Sequence, residues 1–247
     1  MHTAVLYDIH ANLPALEAVM EEIRREKVDR IVFGGDVLPG PMPRETVDYL
    51  RALDIPAQYI HGNGDREILE RLQGRETNAV PEAFREILRW NARQLNAEDE
   101  RWLATWPSTL RAEVAGIGSV LFCHATPSND TDIFTRLTPD DRVTELLAGA
   151  DAALVVCGHT HMQFDRVVGG VRVINAGSVG MPFGEPGAYW LMLLAADVEL
   201  RRTPYDLDAA ASRIRAGAYP QAEQFAAGNV LEPPSEEQML AAFTPRQ

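Results

Sequence analysis

Five short apolar segments, each closed by glycine or a polar side chain, constrain the fold of this 247-residue chain more than any other feature. Apolar, β-rich segments of this length are typical of buried strands. The five predicted strands are Thr3 to Tyr7, Arg30 to Gly34, Ala57 to Ile60, Ser119 to Cys123 and Ala153 to Cys157. The first three alternate with helical patterns over Leu13 to Lys27 and Arg44 to Leu53. This alternation predicts an α/β fold in which crossover helices join parallel strands.

Seven side chains of the kinds that bind metals follow these strands along the chain. Ligands of open α/β sheets bind beyond the carboxyl ends of the strands, so we expect the seven to converge there. They are Asp8, His10, Asp36, Asn63, His124, His159 and His161. A single histidine or aspartate is usually a capping or hydrogen-bonded core residue. The ordered set, which includes four of the six histidines, instead predicts a metal site.

The predicted ligands favour particular metals and a particular reaction. Carboxylate, imidazole and amide groups together suit Mn, Fe, Co, Ni or Zn better than Ca or Mg, which prefer oxygen ligands alone. Asp36 has two carboxylate oxygens and can therefore bridge two ions. Two cations about 3.5 to 4 Å apart lower the pKa of a shared water towards about 7 and stabilise an in-line attack on phosphorus. The set therefore favours hydrolysis of a small phosphate-ester substrate.

The spacing of these residues resembles the ordered motifs of the calcineurin-like metallophosphoesterase superfamily. The matching segments are Asp8-Ile9-His10, Gly35-Asp36, Gly62-Asn63, His124 and Gly158-His159-Thr160-His161. The Asn-Ala-Gly-Ser sequence that begins at Asn175 is similar to that of the small bacterial phosphodiesterases. The resemblance implies a four-layer α-β-β-α sandwich, in which helices flank two mixed β-sheets.

The resemblance also implies a ligand set for each of two divalent transition-metal ions. The first ion is expected to bind Asp8, His10, Asp36 and His161. The second is expected to bind Asp36, Asn63, His124 and His159. Manganese is the first expectation, with iron, nickel, cobalt or zinc as alternatives.

Two positions depart from the family pattern. Many members have a histidine directly after the asparagine ligand and an aspartate three residues after the bridging one, and the two form a proton-donating pair. Gly64 and Pro39 occupy these positions here, which suggests a coherent variant. Protonation of the leaving group must then come from water, another side chain or nothing, although general acid catalysis contributes about 10²- to 10⁴-fold. We therefore expect a preference for esters with good leaving groups.

Three functions are compatible with this site. The main prediction is a metal-dependent phosphodiesterase, in which a hydroxide that bridges the two metals attacks phosphorus. Superfamily members without the donor histidine include the retromer scaffold subunit, so Gly64 leaves open a catalytically weak interaction scaffold. A phosphomonoesterase or nucleotide hydrolase could use the same metal site.

Three residues near the ligands have open roles. Asn12 either caps the first helix or contacts a substrate oxygen. Arg66 either binds a phosphate oxygen with its guanidinium group or is a solvated arginine in the first turn of a helix. Asp65 is predicted to be the N-cap of that helix.

The rest of the chain is predicted to add helices and a second sheet. Asp65 to Trp106 has a helical pattern, and the last third reads as a mainly antiparallel second sheet with two hairpins. The hairpins pair Gln163 to Val168 with Val171 to Ile174, and Ala188 to Leu194 with Val198 to Thr203. We expect one domain over residues 1–219 and an extension, 220–247, that packs on the domain or on a partner subunit.

Composition limits the partners and the location. A formal net charge of -13 argues against binding of duplex nucleic acid, which depends on Lys and Arg. The chain has no apolar run long enough for a membrane span and no export signal, so we expect a cytoplasmic protein that does not bind membranes. The two cysteines, Cys123 and Cys157, are predicted to be reduced core thiols. A homo-oligomer is possible.

Overall fold

The computed structural model describes residues 2–75 and 81–244. Their strands are β1 (Thr3–Leu6), β2 (Arg30–Phe33), β3 (Ala57–Tyr59), β4 (Thr109–Val114), β5 (Gly118–Cys123), β6 (Leu154–Cys157), β7 (Phe164–Val168), β8 (Val171–Asn175), β9 (Ala188–Leu194) and β10 (Asp197–Thr203). Their helices are α1 (Leu13–Arg25), α2 (Pro43–Arg51), α3 (Asn63–Leu72), α4 (Glu82–Arg93), α5 (Ala97–Leu103), α6 (Asp140–Leu146), α7 (Leu207–Arg215), α8 (Ala222–Phe225) and α9 (Glu236–Phe243). A π-helical turn, Ala226–Leu231, follows α8.

The strands form two mixed sheets of five strands each. The first sheet has the order β10-β9-β1-β2-β3, and the second has the order β4-β5-β6-β8-β7. Each sheet contains three neighbouring parallel strands: β1, β2 and β3 in the first, and β5, β6 and β8 in the second. The remaining strands pair antiparallel. The predicted α/β class with two mixed sheets is confirmed.

Side chains along each strand point alternately to the two faces of its sheet, and both faces are covered. Val5 and Val32 of the first sheet share a buried cluster with Phe122 and Val156 of the second, so the inner faces of the sheets pack together. On the outer face of the first sheet, residues such as Leu6 pack in a cluster with α1. The outer face of the second sheet shares a third cluster with α6. This order of layers confirms the predicted α-β-β-α sandwich.

The sheet assignment of the last hairpin was wrong. β9 and β10 form the predicted hairpin, but β9 pairs antiparallel with β1 and therefore extends the first sheet. The second sheet is also not mainly antiparallel, because β5, β6 and β8 are parallel at its centre. The alternating pattern of a hairpin specifies how its two strands pair, but it does not specify which sheet they join.

The helical pattern after Asp65 was predicted correctly within the described residues. It is divided among α3, α4 and α5, while residues 76–80 of the predicted segment lie outside the described ranges. None of the helices in residues 2–75 and 81–244 combines the length and apolar character required to cross a membrane.

The C-terminal residues pack against the helices beside the sheets. Tyr219, Phe225 and Val230 share a buried apolar cluster with Ile214 of α7 and Ile87 of α4. The described part of the extension therefore contacts the rest of the chain. The proposed boundary at residue 219 stays a prediction, and residues 245–247 lie outside the described range.

Candidate metal centre

The seven predicted ligands lie in loops that follow the parallel strands or at the start of α3. Asp8 and His10 follow β1, and Asp36 follows β2. Asn63 is the first residue of α3, His124 follows β5, and β6 leads to His159 and His161. Because the two sheets face each other, their strand ends bring these loops to a common site.

Asp8 lies at the centre of three imidazoles. Its Oδ1 atom is 3.4 Å from Nε2 of His161, 3.8 Å from Nε2 of His124 and 4.0 Å from Nε2 of His10. This oxygen is buried and has no hydrogen-bond partner among the described residues, whereas Oδ2 accepts a hydrogen bond from the His159 backbone amide at 2.9 Å. A buried carboxylate oxygen without a donor is unfavourable in an apolar interior unless a cation binds it. The residues present therefore fit a metal ion.

Asp36 lies between two histidines that belong to different strand ends. Its Oδ2 atom is 3.8 Å from Nε2 of His10 and 3.6 Å from Nε2 of His124. The other oxygen, Oδ1, accepts a hydrogen bond from the Gly64 backbone amide at 2.7 Å. The backbone of α3 therefore holds one carboxylate oxygen and leaves the second facing both imidazoles.

Asn63 faces two further ring nitrogens. Its amide oxygen lies 3.1 Å from Nδ1 of His159 and 3.3 Å from Nε2 of His124. In this orientation three atoms with lone pairs converge, an arrangement that a cation would stabilise. The reverse amide orientation would instead donate hydrogen bonds to the same nitrogens. The amide can thus serve as a ligand or as a hydrogen-bond donor to the same pair.

Three backbone carbonyls orient the imidazoles. The Nδ1 atoms of His10, His124 and His161 lie 3.2 Å, 3.1 Å and 2.8 Å from the carbonyl oxygens of Pro39, Gly34 and Met181, respectively. A carbonyl oxygen only accepts, so each Nδ1 must carry the proton. The three Nε2 atoms then keep their lone pairs and point into the site, as metal-binding histidines require.

Burial shifts the charge states of the site. It lowers the pKa of both His10 and His159 to about 3, and nearby imidazoles contribute in the same direction. Burial and the neighbouring Asp8 raise the pKa of Asp36 well above its usual value. Burial, the largest influence, opposes ionisation of Asp8, but the interactions with His161, His124 and His10 together outweigh it and leave the Asp8 pKa lowered. His10 and His159 are therefore neutral at pH 7, the form in which histidine binds metals.

Most of the predicted ligands have left-handed backbone conformations. Asp8, His10, Asp36, His159 and His161 have φ values of 54°, 46°, 50°, 66° and 58°. Such conformations cost on the order of 1 to 3 kcal/mol each in non-glycine residues and persist where the surrounding structure imposes them. These conformations bend the chain at the strand ends, where Asp8 and His10 both reach the site.

Glycine is required where the loops meet. A Cβ atom on Gly62 would lie 2.2 Å from Oδ1 of Asp36 and 2.7 Å from Cε1 of His124. Gly35 has a φ of 98°, and its Cβ would lie 2.4 Å from the Gly62 backbone nitrogen. These close approaches allow Asp36 and His124 to share the centre.

Asn12 and Arg66, the two residues predicted to contact substrate, both contact other residues of the chain. Asn12 is fully buried, accepts a hydrogen bond from Ala15 N at 3.4 Å and donates one to the Gly180 carbonyl at 2.9 Å. Its predicted capping role is therefore confirmed. Arg66 forms a bidentate ion pair with Asp130, at 2.6 Å and 3.1 Å. A substrate contact by either residue stays a prediction.

The predicted cap of α3 was wrong. Gly62 is the N-cap, and Asp65 lies in the first turn, where its carboxylate accepts hydrogen bonds from Gly62 N at 3.1 Å and Leu38 N at 2.9 Å. Asp65 thereby joins the start of α3 to the loop after Asp36. A carboxylate three residues into a helix commonly bonds back to the cap residue, and that spacing was the signal available in the sequence.

Sequence reasoning missed several supporting contacts from the loop after β8. Ser178 Oγ donates to the Asp8 carbonyl at 2.8 Å, and Met181 supplies the carbonyl that orients His161. The Phe183 ring stacks on His161, with 5.2 Å between centroids and 26° between planes. Apart from the Asn-Ala-Gly-Ser segment, no local pattern marks this loop, because its contacts depend on distant parts of the chain.

Comparison with known proteins agrees with this geometry. Residues 1–197 match the family model described as the calcineurin-like phosphoesterase superfamily domain. The chain belongs to this superfamily. The match contains all seven predicted ligands and confirms the family resemblance. Membership and the presence of candidate metal-binding groups support a metal-dependent hydrolase that acts on phosphoester bonds.

Three relatives are similar over nearly the whole chain. An uncharacterised protein from Methanocaldococcus jannaschii is 28% identical over 238 residues, covering 88% of this chain and 93% of that protein. A metallophosphoesterase from Sphaerobacter thermophilus, known from its crystal structure, has 27% sequence identity and a TM-score of 0.73. The match covers 93% of the present chain and 100% of the Sphaerobacter chain. A hypothetical protein from Pyrococcus horikoshii has the same fold, with a TM-score of 0.80, 20% identity and coverage of 95% and 99% of the two chains.

Proposed function

We propose that this superfamily member is a phosphodiesterase that uses two divalent transition-metal ions. The observation that carries the proposal is the position of Asp36, whose Oδ2 atom lies between Nε2 of His10 and Nε2 of His124 at 3.8 Å and 3.6 Å. A single carboxylate oxygen thus faces His10, a predicted ligand of the first ion, and His124, a predicted ligand of the second. That position suits a residue shared by two ions.

The donor atoms divide into two groups around Asp36. Asp8, His10 and His161 form one group, with 3.3 Å between the Nε2 atoms of the two histidines, and Asp8 also forms a group with Asp36 and His124. Asn63, His124 and His159 supply the donors of the other group. When bound, two such cations would supply an activated water and neutralise charge on the phosphoryl group. This donor set suits manganese and also iron, cobalt, nickel or zinc.

The chain's own groups prepare the site before any substrate arrives. Backbone carbonyls fix the tautomers of three histidines, and the Gly64 amide holds one oxygen of Asp36. Burial keeps His10 and His159 neutral, since their pKa values fall to about 3. Little reorganisation is therefore needed for metal binding, which favours tight binding and a well-defined substrate position.

Two separate cavities adjoin the centre and favour a diester over a monoester. One has a volume of about 240 Å³ and includes His10 in its wall. The other has a volume of about 260 Å³ and includes His124 together with polar residues such as Thr126 and Asn129. The two cavities have no lining residue in common. A phosphodiester has a substituent for each cavity, whereas a monoester has only one.

Metal content and substrate preference test the proposal together. We expect about two equivalents of metal per chain when the protein is purified without a chelator or a histidine tag. The metal-loaded protein should hydrolyse bis(p-nitrophenyl) phosphate with a higher kcat/KM than p-nitrophenyl phosphate. Asp36→Asn should abolish turnover and reduce the metal content, while His2→Gln, which alters an exposed histidine outside the site, should change neither.

Each contrary result has a defined meaning. One equivalent of metal with full activity would rule out the two-ion arrangement. A higher kcat/KM for p-nitrophenyl phosphate would favour the phosphomonoesterase alternative. Full metal loading without turnover of either ester, with Mn, Ni, Co or Fe, would favour a scaffold function.

A further inference from the structure

The cavity beside His10 has walls of mixed origin. Pro39 and Met181, whose carbonyls accept hydrogen bonds from His10 and His161, contribute to it from the metal-site loops. Phe84 and Ile87 contribute from α4. The remaining lining residues come from the segment between Tyr219 and Asn229. This C-terminal segment lies beyond residue 197, where the match to the family model ends.

The walls of the cavity are apolar and aromatic. Tyr219 packs edge-on against Phe225, with 6.1 Å between ring centroids, and against Trp90 of α4, with 5.4 Å. Ile87, Tyr219 and Phe225 are 7%, 8% and 5% exposed, so their positions are fixed by packing. Such a wall is rigid and aromatic, and it suits contact with a planar ring.

Three side-chain amides also line the cavity. Gln221 and Asn229 are half-buried and Gln224 is exposed. Within the described ranges, none of these three amide groups makes a hydrogen bond to another side chain or to the backbone. Each amide offers both a donor and an acceptor. An apolar cavity with several free amides suits a flat ring that has hydrogen-bonding groups along its edge.

We propose that this cavity binds a nucleobase of the substrate, so that the metal centre acts on a nucleoside phosphodiester. This inference rests on the proposed phosphodiesterase function. A volume of about 240 Å³ is smaller than a site for a whole drug-sized ligand, about 300 to 1,000 Å³, and suits a single ring system. The phosphodiester would then lie at the metal centre, because His10 belongs to both the cavity and the ligand set.

The lining residues of the C-terminal segment are specificity determinants rather than catalytic groups. The ligands all lie within residues 1–197, which match the family model, whereas the amides and two of the aromatic rings follow that segment. Changes at these residues should therefore alter which diester is preferred and leave the metal centre intact.

Three esters with the same leaving group test the proposal. We would measure kcat/KM for the p-nitrophenyl esters of thymidine 5′-phosphate, phenyl phosphate and methyl phosphate. Base stacking and amide contacts should favour the thymidine ester over the methyl ester by about 10- to 100-fold. The phenyl ester, which lacks hydrogen-bonding groups on its ring, should fall between the two.

Variants of the cavity separate its roles. The double variant Gln221→Ala/Asn229→Ala should bring the thymidine ester down to the level of the phenyl ester, and Phe84→Ala should reduce both. In both variants the ratio of kcat/KM for the thymidine ester to kcat/KM for the methyl ester should fall. The matched control is Glu223→Ala, which alters an exposed residue of α8 paired with Arg215 and should preserve the wild-type order. Thermal unfolding would verify that each variant is folded.

Binding of thymidine 5′-monophosphate, measured by calorimetry, provides a readout independent of turnover. Weaker binding in the double variant but not in Glu223→Ala would support the cavity even if no ester were hydrolysed, in which case only the proposed reaction would fail. Equal kcat/KM for all three esters, or an unchanged preference and unchanged binding in the double variant, would overturn the nucleobase assignment. Equal rates for thymidine and phenyl esters would also overturn it.

Discussion

Gly64 packs against Pro39 so closely that a Cβ atom on Gly64 would lie 2.7 Å from Cδ of Pro39. The same atom would lie 2.3 Å from the Leu38 carbonyl oxygen and 3.0 Å from Oδ1 of Asp36. The two positions at which this chain departs from the family pattern are therefore neighbours in the structure. Gly64 and Pro39 therefore form one packing arrangement. Pro39 also forms part of the wall of the cavity beside His10.

Replacing Gly64 alone with histidine should therefore destabilise the protein without restoring general acid catalysis. Gly64→His and Gly64→Ala both force a Cβ against backbone, so we expect each to lower the free energy of unfolding by about 1 to 3 kcal/mol. Neither should increase hydrolysis of esters with poor leaving groups. The control is Gly228→Ala, because in the described part of the chain no atom outside its own helix backbone lies within 4 Å of a Cβ built on that glycine. This control should be neutral or stabilising by about 0.5 to 1 kcal/mol in urea denaturation.

A stable Gly64→His protein with faster hydrolysis of poor esters would contradict this packing argument. It would mean that the loop around Pro39 moves easily enough to accept a side chain of this size.

Without an imidazole at position 64, the rate should depend steeply on the leaving group. General acid catalysis normally contributes about 10²- to 10⁴-fold, mostly for poor leaving groups. We expect log kcat/KM for a series of aryl methyl phosphates to fall continuously as the pKa of the leaving phenol rises. A flat dependence, with chemistry shown to be rate-limiting, would indicate that another residue protonates the leaving group.

The local elements and the ligands were accessible from the sequence because they depend on short-range patterns. Strands such as β5 were predicted within one or two residues, since apolar segments of this length specify buried strands directly. The seven ligands were predicted from their order along the chain. The structure brings all seven to one site.

Features that depend on distant contacts were not accessible. The sheet joined by β9, the ion pair between Arg66 and Asp130, and the hydrogen bond from Leu38 N to Asp65 all depend on residues at least 27 positions away. The cavity beside His10 is a further example, because Phe84 and Phe225 meet only after α4 and the C-terminal segment have packed. An aromatic residue in a helical pattern does not reveal whether it lines a cavity or fills the core.

Asp36→Asn should separate stability from metal binding. Burial and the neighbouring Asp8 raise the pKa of Asp36, so its negative charge is unfavourable in the metal-free fold. An asparagine can keep the hydrogen bond from Gly64 N, and it tolerates the left-handed backbone at this position. We expect the metal-free variant to be more stable than wild type by about 1 to 2 kcal/mol in urea denaturation.

The same variant should lose most of the stabilisation that Mn²⁺ gives to the wild-type protein, since binding to the native state stabilises it by mass action. A metal-free Asp36→Asn protein less stable than wild type would show that the charge is balanced by groups other than a cation.

Asp99 should make the stability of the protein depend on pH in the acidic range. Asp99 is 1% exposed, and its carboxylate accepts hydrogen bonds from Arg44 and Arg51, which both belong to α2. It also accepts a hydrogen bond from Asn96 N at 2.9 Å. Burial alone would raise its pKa, but the hydrogen bond from Arg44, the Asn96 amide and the charge of Arg51 outweigh burial and lower it.

A lowered pKa in the folded state means that the unfolded chain binds more protons. Stability from Asp99 is then fully present above its unfolded pKa of 3.8 and is lost as the pH falls through the folded value. Asp99→Asn should therefore cost about 1 to 3 kcal/mol at pH 7, and the difference from wild type should shrink as the pH approaches 3. The control Asp48→Asn removes an exposed partner of Arg44 and should cost less than about 1 kcal/mol. Urea denaturation of the three proteins between pH 3 and 7 would measure their free energies of unfolding. If Asp99→Asn lowered this free energy equally at every pH, packing of Asp99 rather than its charge would account for the effect.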